Sequence, residues 1–303
     1  MLRVTIGWHF FYEGVWKITN PDKFSATPFL TMAKGPAAPL FYAMVYDIDG
    51  RQRLATSEAA DGKLVVTGEI YTDAWKGQFD AAVEKYGLDD EQQKTAKVLL
   101  DRYDKSAKEY LLENREDILG YFESLNRFQE ELAAGGNNAN YKKKRNWDQQ
   151  QKLRSEANGW LGELDGMGDD YRAALWGVLN DEQKQIGPIP TGWTRADLMD
   201  LAVTYSLAAI GLCMMLGFCN RLACLGGAAF LVSVLLTQPP WPTIYPPAPA
   251  VVGHALIVDK NFVEMVAMVA LACLPVGRWG GLDFFVYRWI GRPLLQRFGF
   301  AVE

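Results

Sequence analysis

The sequence predicts an all-α protein: a four-helix transmembrane bundle with a mainly helical, extracytoplasmic insertion between spans one and two. Three observations predict it. First, the mean hydropathy of -0.09 looks soluble only because it averages a charged half and an apolar half of the 303 residues. Second, charge is dense from Asp49 to Ala196 and nearly vanishes from Leu198 to Cys273 outside short connectors. Third, four apolar segments approach the ~20 residues that a spanning helix needs. Two of them are the full segment Leu198 to Phe218 and the shorter Leu222 to Thr237, which Pro239 and Pro240 close. Residues 1–48 then form the first span and an interfacial segment, 49–196 the inserted domain, and 197–303 spans two to four with a C-terminal tail.

The opening segment, Leu2 to Ile18, carries His9, Glu13 and Lys17 four residues apart, with Trp8, Tyr12 and Trp16 beside them. On a helix that spacing draws two adjoining stripes, one ionisable and one aromatic. Glu13 and Lys17 interrupt the apolar core a signal peptide needs, and no small-residue cleavage site follows. Because the segment is short for a span, either it sits high in a bilayer or its start is incomplete. The fourth apolar segment, Phe262 to Gly277, is short as well, with Gly253 to Val258 leading into it.

Within the insertion, "GKLVVTGEIYTD" (Gly62 to Asp73) alternates as a strand does. Asp73 to Gly87 has helical spacing and a glycine stop, and Leu88 to Gly136 is a long amphipathic run, acidic at its start. "GGNNAN" breaks it. Helices are expected to return over Trp147 to Leu164 and Asp169 to Gln185, forming an antiparallel hairpin with the long run. "GLDDEQQK" and "VLNDEQKQ" echo one another without amounting to a repeat architecture. Ile186 to Trp193 reads as the linker into the second span.

Arginine placement sets the orientation. Arg3, Arg221, and the group Arg278, Arg288, Arg292 and Arg297 flank the spans on one side, which puts both termini in the cytoplasm and the insertion outside. A net charge of -5 gives no reason to expect nucleic-acid binding, and the basic run "YKKKRNW" reads as a solvated loop or helix start. Cys213, Cys219, Cys224 and Cys273 all lie in the apolar half with no CxxC and no zinc-like spacing, so no metal site is expected and the thiols read as small buried apolar groups.

With both ends of the first span so placed, Glu13 and Lys17 share a depth with Lys260 and Glu264, which open the fourth span. Asp200 sits at the same level, with Asp259 and His254 just outside, while His9 lies deeper. An ionised group in hydrocarbon costs about 3 kcal/mol, which favours turning Glu13 and Glu264 toward each other inside the bundle. Trp8, Tyr12, Trp16 and Trp241 would wall such a pocket, which suits a proton relay or a quinone headgroup. The competing reading is a structural ion-pair network with snorkelling lysines and an aromatic belt.

At these positions, "RVTIGWHFFYEGVWKITNP", "AKGP", "VDKNFVEM" and "GRWGGLDFF" resemble the DoxX/DoxD family of bacterial membrane proteins, across Met1 to Asp47 and Ala196 to Arg292. The resemblance implies a four-helix bundle of the bacterial inner membrane with polar positions at His9, Glu13, Lys17, Asn20, Lys260, Glu264 and Asp283. Some members are described as the small subunit of a thiosulfate:quinone oxidoreductase. Members have almost nothing between the first two spans, a gap that residues 49–196 fill here. The expectation is a quinone-interacting redox subunit with Glu13, Lys17, Lys260 and Glu264 at its chemistry and Trp8, His9, Tyr12, Trp16 and Asp200 around the ligand. The alternative is a non-catalytic anchor whose outer domain binds a protein partner or a second copy of the chain.

Overall fold

The computed structural model describes residues 1–58, 64–135, 139–190, 194–247 and 257–293. His254, Gly253 and Arg297, named above, lie outside them. The chain divides into two compact units, Met1–Tyr46 with Trp193–Glu303, and Asp47–Gly192. Both are mainly helical among the described residues.

The first unit is built on α1 (Leu2–Thr19), with short helices α2 (Thr27–Thr31) and α3 (Ala38–Tyr42) after it. The second unit begins with strands β1 (Thr56–Glu58) and β2 (Leu64–Val66), followed by α4 (Glu69–Tyr86), α5 (Asp90–Glu113), α6 (Arg115–Ala133), α7 (Asn140–Val178) and α8 (Asp181–Gln185). The first unit resumes with α9 (Arg195–Leu216), α10 (Asn220–Thr237), α11 (Lys260–Cys273) and α12 (Asp283–Val286), the last running into a π-turn over Tyr287–Gly291.

In the first unit α1 packs on α9, α9 on α10, and α10 on α11. Small residues set the closeness of the first pair. A Cβ on Gly7 would come within 2.9 Å of the Gly211 carbonyl, and one on Gly14 or Gly211 would strike the backbone of Ala208 or Phe11. Membrane helices, with no hydrophobic gain from association, use this backbone-to-backbone packing. Met214 and Met268 fill the centre, both fully buried. Arg3 ties one end together, donating to the carbonyls of Val276 (3.0 Å) and Gly280 (3.2 Å). Asp283 accepts from the backbone N–H of Cys219 (2.7 Å) and Asn220 (3.0 Å), satisfying the first turn of α10.

Among the described residues, α9 and α10 are long and apolar enough to cross a membrane. α1 carries Arg3, Glu13 and Lys17, and α11 has only 14 residues, so neither reaches that length and composition. The thiols also depart from expectation: only Cys224 is buried, while Cys219 and Cys273 are exposed.

In the second unit the strand expected over Gly62 to Asp73 is short, because Gly68 (φ 57°) turns the chain and α4 starts at Glu69. β2 pairs antiparallel with β1, Thr56 opposite Val66. The long amphipathic run bends at Asn114 into α5 and α6. α7 is a single helix of 39 residues, about 58 Å long, that packs along both. The expected break between Leu164 and Asp169 does not occur. Gly168 stays helical because its missing side chain makes room for the indole of Trp75, whose Nε1 would lie 2.9 Å from a Cβ there. Trp75, Leu164 and Tyr171 form the centre of this core.

The two echoing segments turn out to be twin capping boxes. Asp89 accepts from Gln92 N–H and Asn180 from Gln183 N–H, opening α5 and α8. The two glutamines then exchange amide hydrogen bonds of 2.8 and 3.0 Å, pinning the two helix starts together.

Candidate functional site

The α1/α9 and α10/α11 pairs run antiparallel, so the C-terminal end of α1 and the N-terminal end of α11 come out at the end of the first unit opposite Arg3. A cavity of about 600 Å³ lies there, and His9, Glu13, Lys17, Lys260 and Glu264 all line it. The ionisable stripes of the two helices therefore meet at one level.

Their partners differ from the arrangement expected. Glu264 pairs with neither Glu13 nor Lys260. Its Oε1 lies 2.9 Å from His9 Nδ1, across the two helices. Glu13 takes Lys17, 2.9 Å away within α1, and the Lys17 ammonium also stands over the Phe24 ring at 5.0 Å. Lys260 has no partner among the described residues and faces the same space. The reason is rotational: on α11, Lys260 and Glu264 share a face, and the turn of that face toward α1 brings Glu264 against the imidazole. Where Glu264 occupies Nδ1, Nε2 is the ring nitrogen left to accept or donate toward the cavity.

Glu264 is mostly buried (16% exposed), whereas His9 is 57% exposed although it lines the cavity. α1 and α11 touch only sparsely beside it.

The aromatic walls are not those expected. Trp8 and Tyr12 stack on the outer face of α1, centroids 6.2 Å apart, with Trp16 also exposed, and none of the three lines the cavity. Phe10, Phe24, Phe29, Phe41 and Phe230 do. Three of these come from the stretch around α2 and α3, where apolar residues recur without helical or strand periodicity inside a proline-rich connector. Asp200 does not line the cavity either: its carboxylate accepts from Ala26 N–H at 2.6 Å and so fixes α2 beside the mouth. Asp259 caps α11 through Phe262 N–H (2.8 Å), and Trp241 stands 40% exposed. Asn20 binds the Trp16 carbonyl (3.0 Å) and ends α1.

Lys34, of the "AKGP" stretch, is buried, and burial holds its ammonium below the usual lysine range. Its Nζ donates to the Pro246 carbonyl (2.7 Å), tying the connector after α10 to the α2–α3 region. No family model matches the chain, and neither a curated protein nor a solved structure matches it.

Proposed function

We propose that the chain is a DoxX-like integral membrane protein and a redox-linked subunit whose cavity binds a quinone. The observation that carries this is the His9–Glu264 pair, 2.9 Å long, set in the wall of an otherwise largely apolar cavity of about 600 Å³. A quinone asks for apolar walls along its ring and tail and for a hydrogen-bonding group at its carbonyl. The phenylalanines and aliphatic side chains offer the first, and His9 Nε2 the second. A bound quinone supplies two-electron, two-proton redox chemistry. The chain's own part is to orient the ring, hold a proton at Nε2 and stabilise the imidazolium through Glu264. Electrons would come from a partner redox subunit.

The exteriors of α9 and α10 favour a membrane setting. Only 22% of the apolar stretch of α9 is buried, whereas the core helix of a soluble protein would be mostly covered. Arg3, Arg221 and Arg278 gather at the end away from the cavity, which fits that end facing the cytoplasm and Asp47–Gly192 lying outside.

The test is the quinone content of the purified protein, with tryptophan quenching on titration of a quinone into delipidated samples. Wild type should retain quinone, and Glu264→Gln, which keeps the shape and removes the charge, should weaken binding about tenfold or more. Wild type that neither carries nor takes up quinone sinks the proposal. A second reading, an anchor for a partner-binding domain, rests on the separate hydrophobic core of Asp47–Gly192. It predicts partner capture that is lost with that unit, whereas quinone binding should survive its deletion.

A further inference from the structure

The Arg-rich end of the first unit holds a second cleft, unrelated to the quinone cavity. It measures about 330 Å³ and lies between the start of α10 and the segment after α11. Arg221 and Arg278 line it, and among the described residues neither guanidinium is paired with a carboxylate. Arg278 is held in place over the Tyr287 ring, 3.7 Å from its centroid. That stacking leaves the guanidinium's N–H edge free to donate. Asn220 lines the same cleft and is 1% exposed, and its carboxamide has only the weak Cys224 thiol beside it, with no oxygen or nitrogen partner among the described residues. A thiol is a weak partner for a buried carboxamide, and a polar group brought into the cleft would bond it better.

One carboxylate is present, that of Asp283. Both its oxygens already accept from the α10 N-terminus, and Arg3 lies on the same end of the unit, so the cleft keeps a positive balance. Beside it Trp279, Phe284, Phe285, Trp289 and Ile290 form an exposed apolar patch on the segment that also carries Arg288. Aromatic and aliphatic residues interleaved with arginine suit an element lying in the headgroup layer of a bilayer. We infer that this cleft binds the phosphate of an anionic phospholipid headgroup, clamped between Arg221 and Arg278, with its chains running down over Leu222 and Ile290.

The experiment compares two double variants of the full chain that remove equal charge from the same end. Arg221→Gln with Arg278→Gln empties the cleft, whereas Arg288→Gln with Arg292→Gln, neither of which lines it, leaves the cleft intact. Delipidated protein is titrated with nanodiscs of phosphatidylcholine alone or mixed with phosphatidylglycerol, and bound lipid is read by native mass spectrometry. The cleft pair should lose roughly thirtyfold in affinity for phosphatidylglycerol, well beyond the outer pair, with the melting temperature unchanged in both. Equal losses in the two pairs would mean surface attraction alone and overturn the assignment. Saturable binding of inorganic phosphate without preference for the anionic lipid would overturn it too, by giving the cleft a soluble ligand.

Discussion

The two units solve the same problem, packing helices side by side, with opposite materials. In the first, α1 and α9 touch through Gly7, Gly14, Ala208 and Gly211, large apolar side chains cover much of the outside, and ionisable groups of α1 and α11 gather along one cavity. In the second, the inside is filled by Trp75, Tyr171 and Leu164, and charge covers the outside, as in the Lys97–Asp101 and Lys108–Asp104 pairs along α5. The difference teaches that helical content alone says little. What distinguishes the units is the exterior: apolar in the first, as the proposed membrane setting requires, and charged in the second, as water favours.

Glycine gives the sharpest way to break that comparison. Gly211→Ala would drive a methyl into the backbone of Phe11, which no side-chain rotation relieves, at a cost of about 3 kcal/mol. Gly120→Ala, the same change in α6, meets nothing within 4 Å and should stabilise by about 1 kcal/mol through helix propensity. Thermal or denaturant unfolding of the two variants in the same detergent should therefore move in opposite directions. If both stabilise, α1 and α9 are not in backbone contact.

Tyrosine sharpens it next. Tyr205 on α9 and Tyr141 on α7 are both well exposed, at 56% and 70%. On the proposed membrane reading, Tyr205→Asp should cost about 3 kcal/mol of membrane integration, near a hundredfold, because an aspartate there would meet hydrocarbon. Tyr141→Asp should change stability by less than about 0.5 kcal/mol, because its surroundings are water. Carbonate-resistant membrane fractions report the first and unfolding reports the second. An α9 indifferent to aspartate would place it outside any bilayer.

How far the sequence reveals this division varies by element. Punctuated helix ends are legible, as at Gly87, which ends α4 in the left-handed region. Long-range compensation is not. Nothing local tells that Trp75 packs onto Gly168 and carries α7 through a stretch rich in glycine. The meeting of the two charged stripes was legible, since helix direction and spacing fix the depth of Glu13 and Glu264. Their partners were not, because an i, i+4 pair on each helix satisfies the charges equally well on paper, and only the rotation of α11 selects His9 for Glu264. The aromatic walls were ambiguous for a similar reason: α1 carries aromatic residues all round, so periodicity cannot distinguish Phe10, turned inward, from Trp8, turned out.

The smallest effect lies where the second unit departs from its own rule by drawing a carboxyl inside. Burial pushes Asp49 above the usual carboxylate range, against the pull of the Arg154 and Arg51 guanidiniums, while Asp47 pushes the same way as burial. An acid whose folded-state value is raised binds its proton more tightly folded than unfolded. The unit therefore loses stability as pH rises from the ordinary carboxylate value through the raised one, and the loss levels off above it. Asp49→Asn cannot ionise and keeps an oxygen for Gln129 Nε2, now 3.5 Å from the carboxylate. It should flatten that stretch of the pH profile and stabilise the unit at neutral pH by no more than about 1 kcal/mol. Hydrogen exchange of α6 amides in the full chain, read at acidic and neutral pH, checks this. A variant as pH-dependent as the wild type would mean that Asp49 stays as well hydrated as the carboxylates on the outer face of α5, and that the second unit keeps its charges to water throughout.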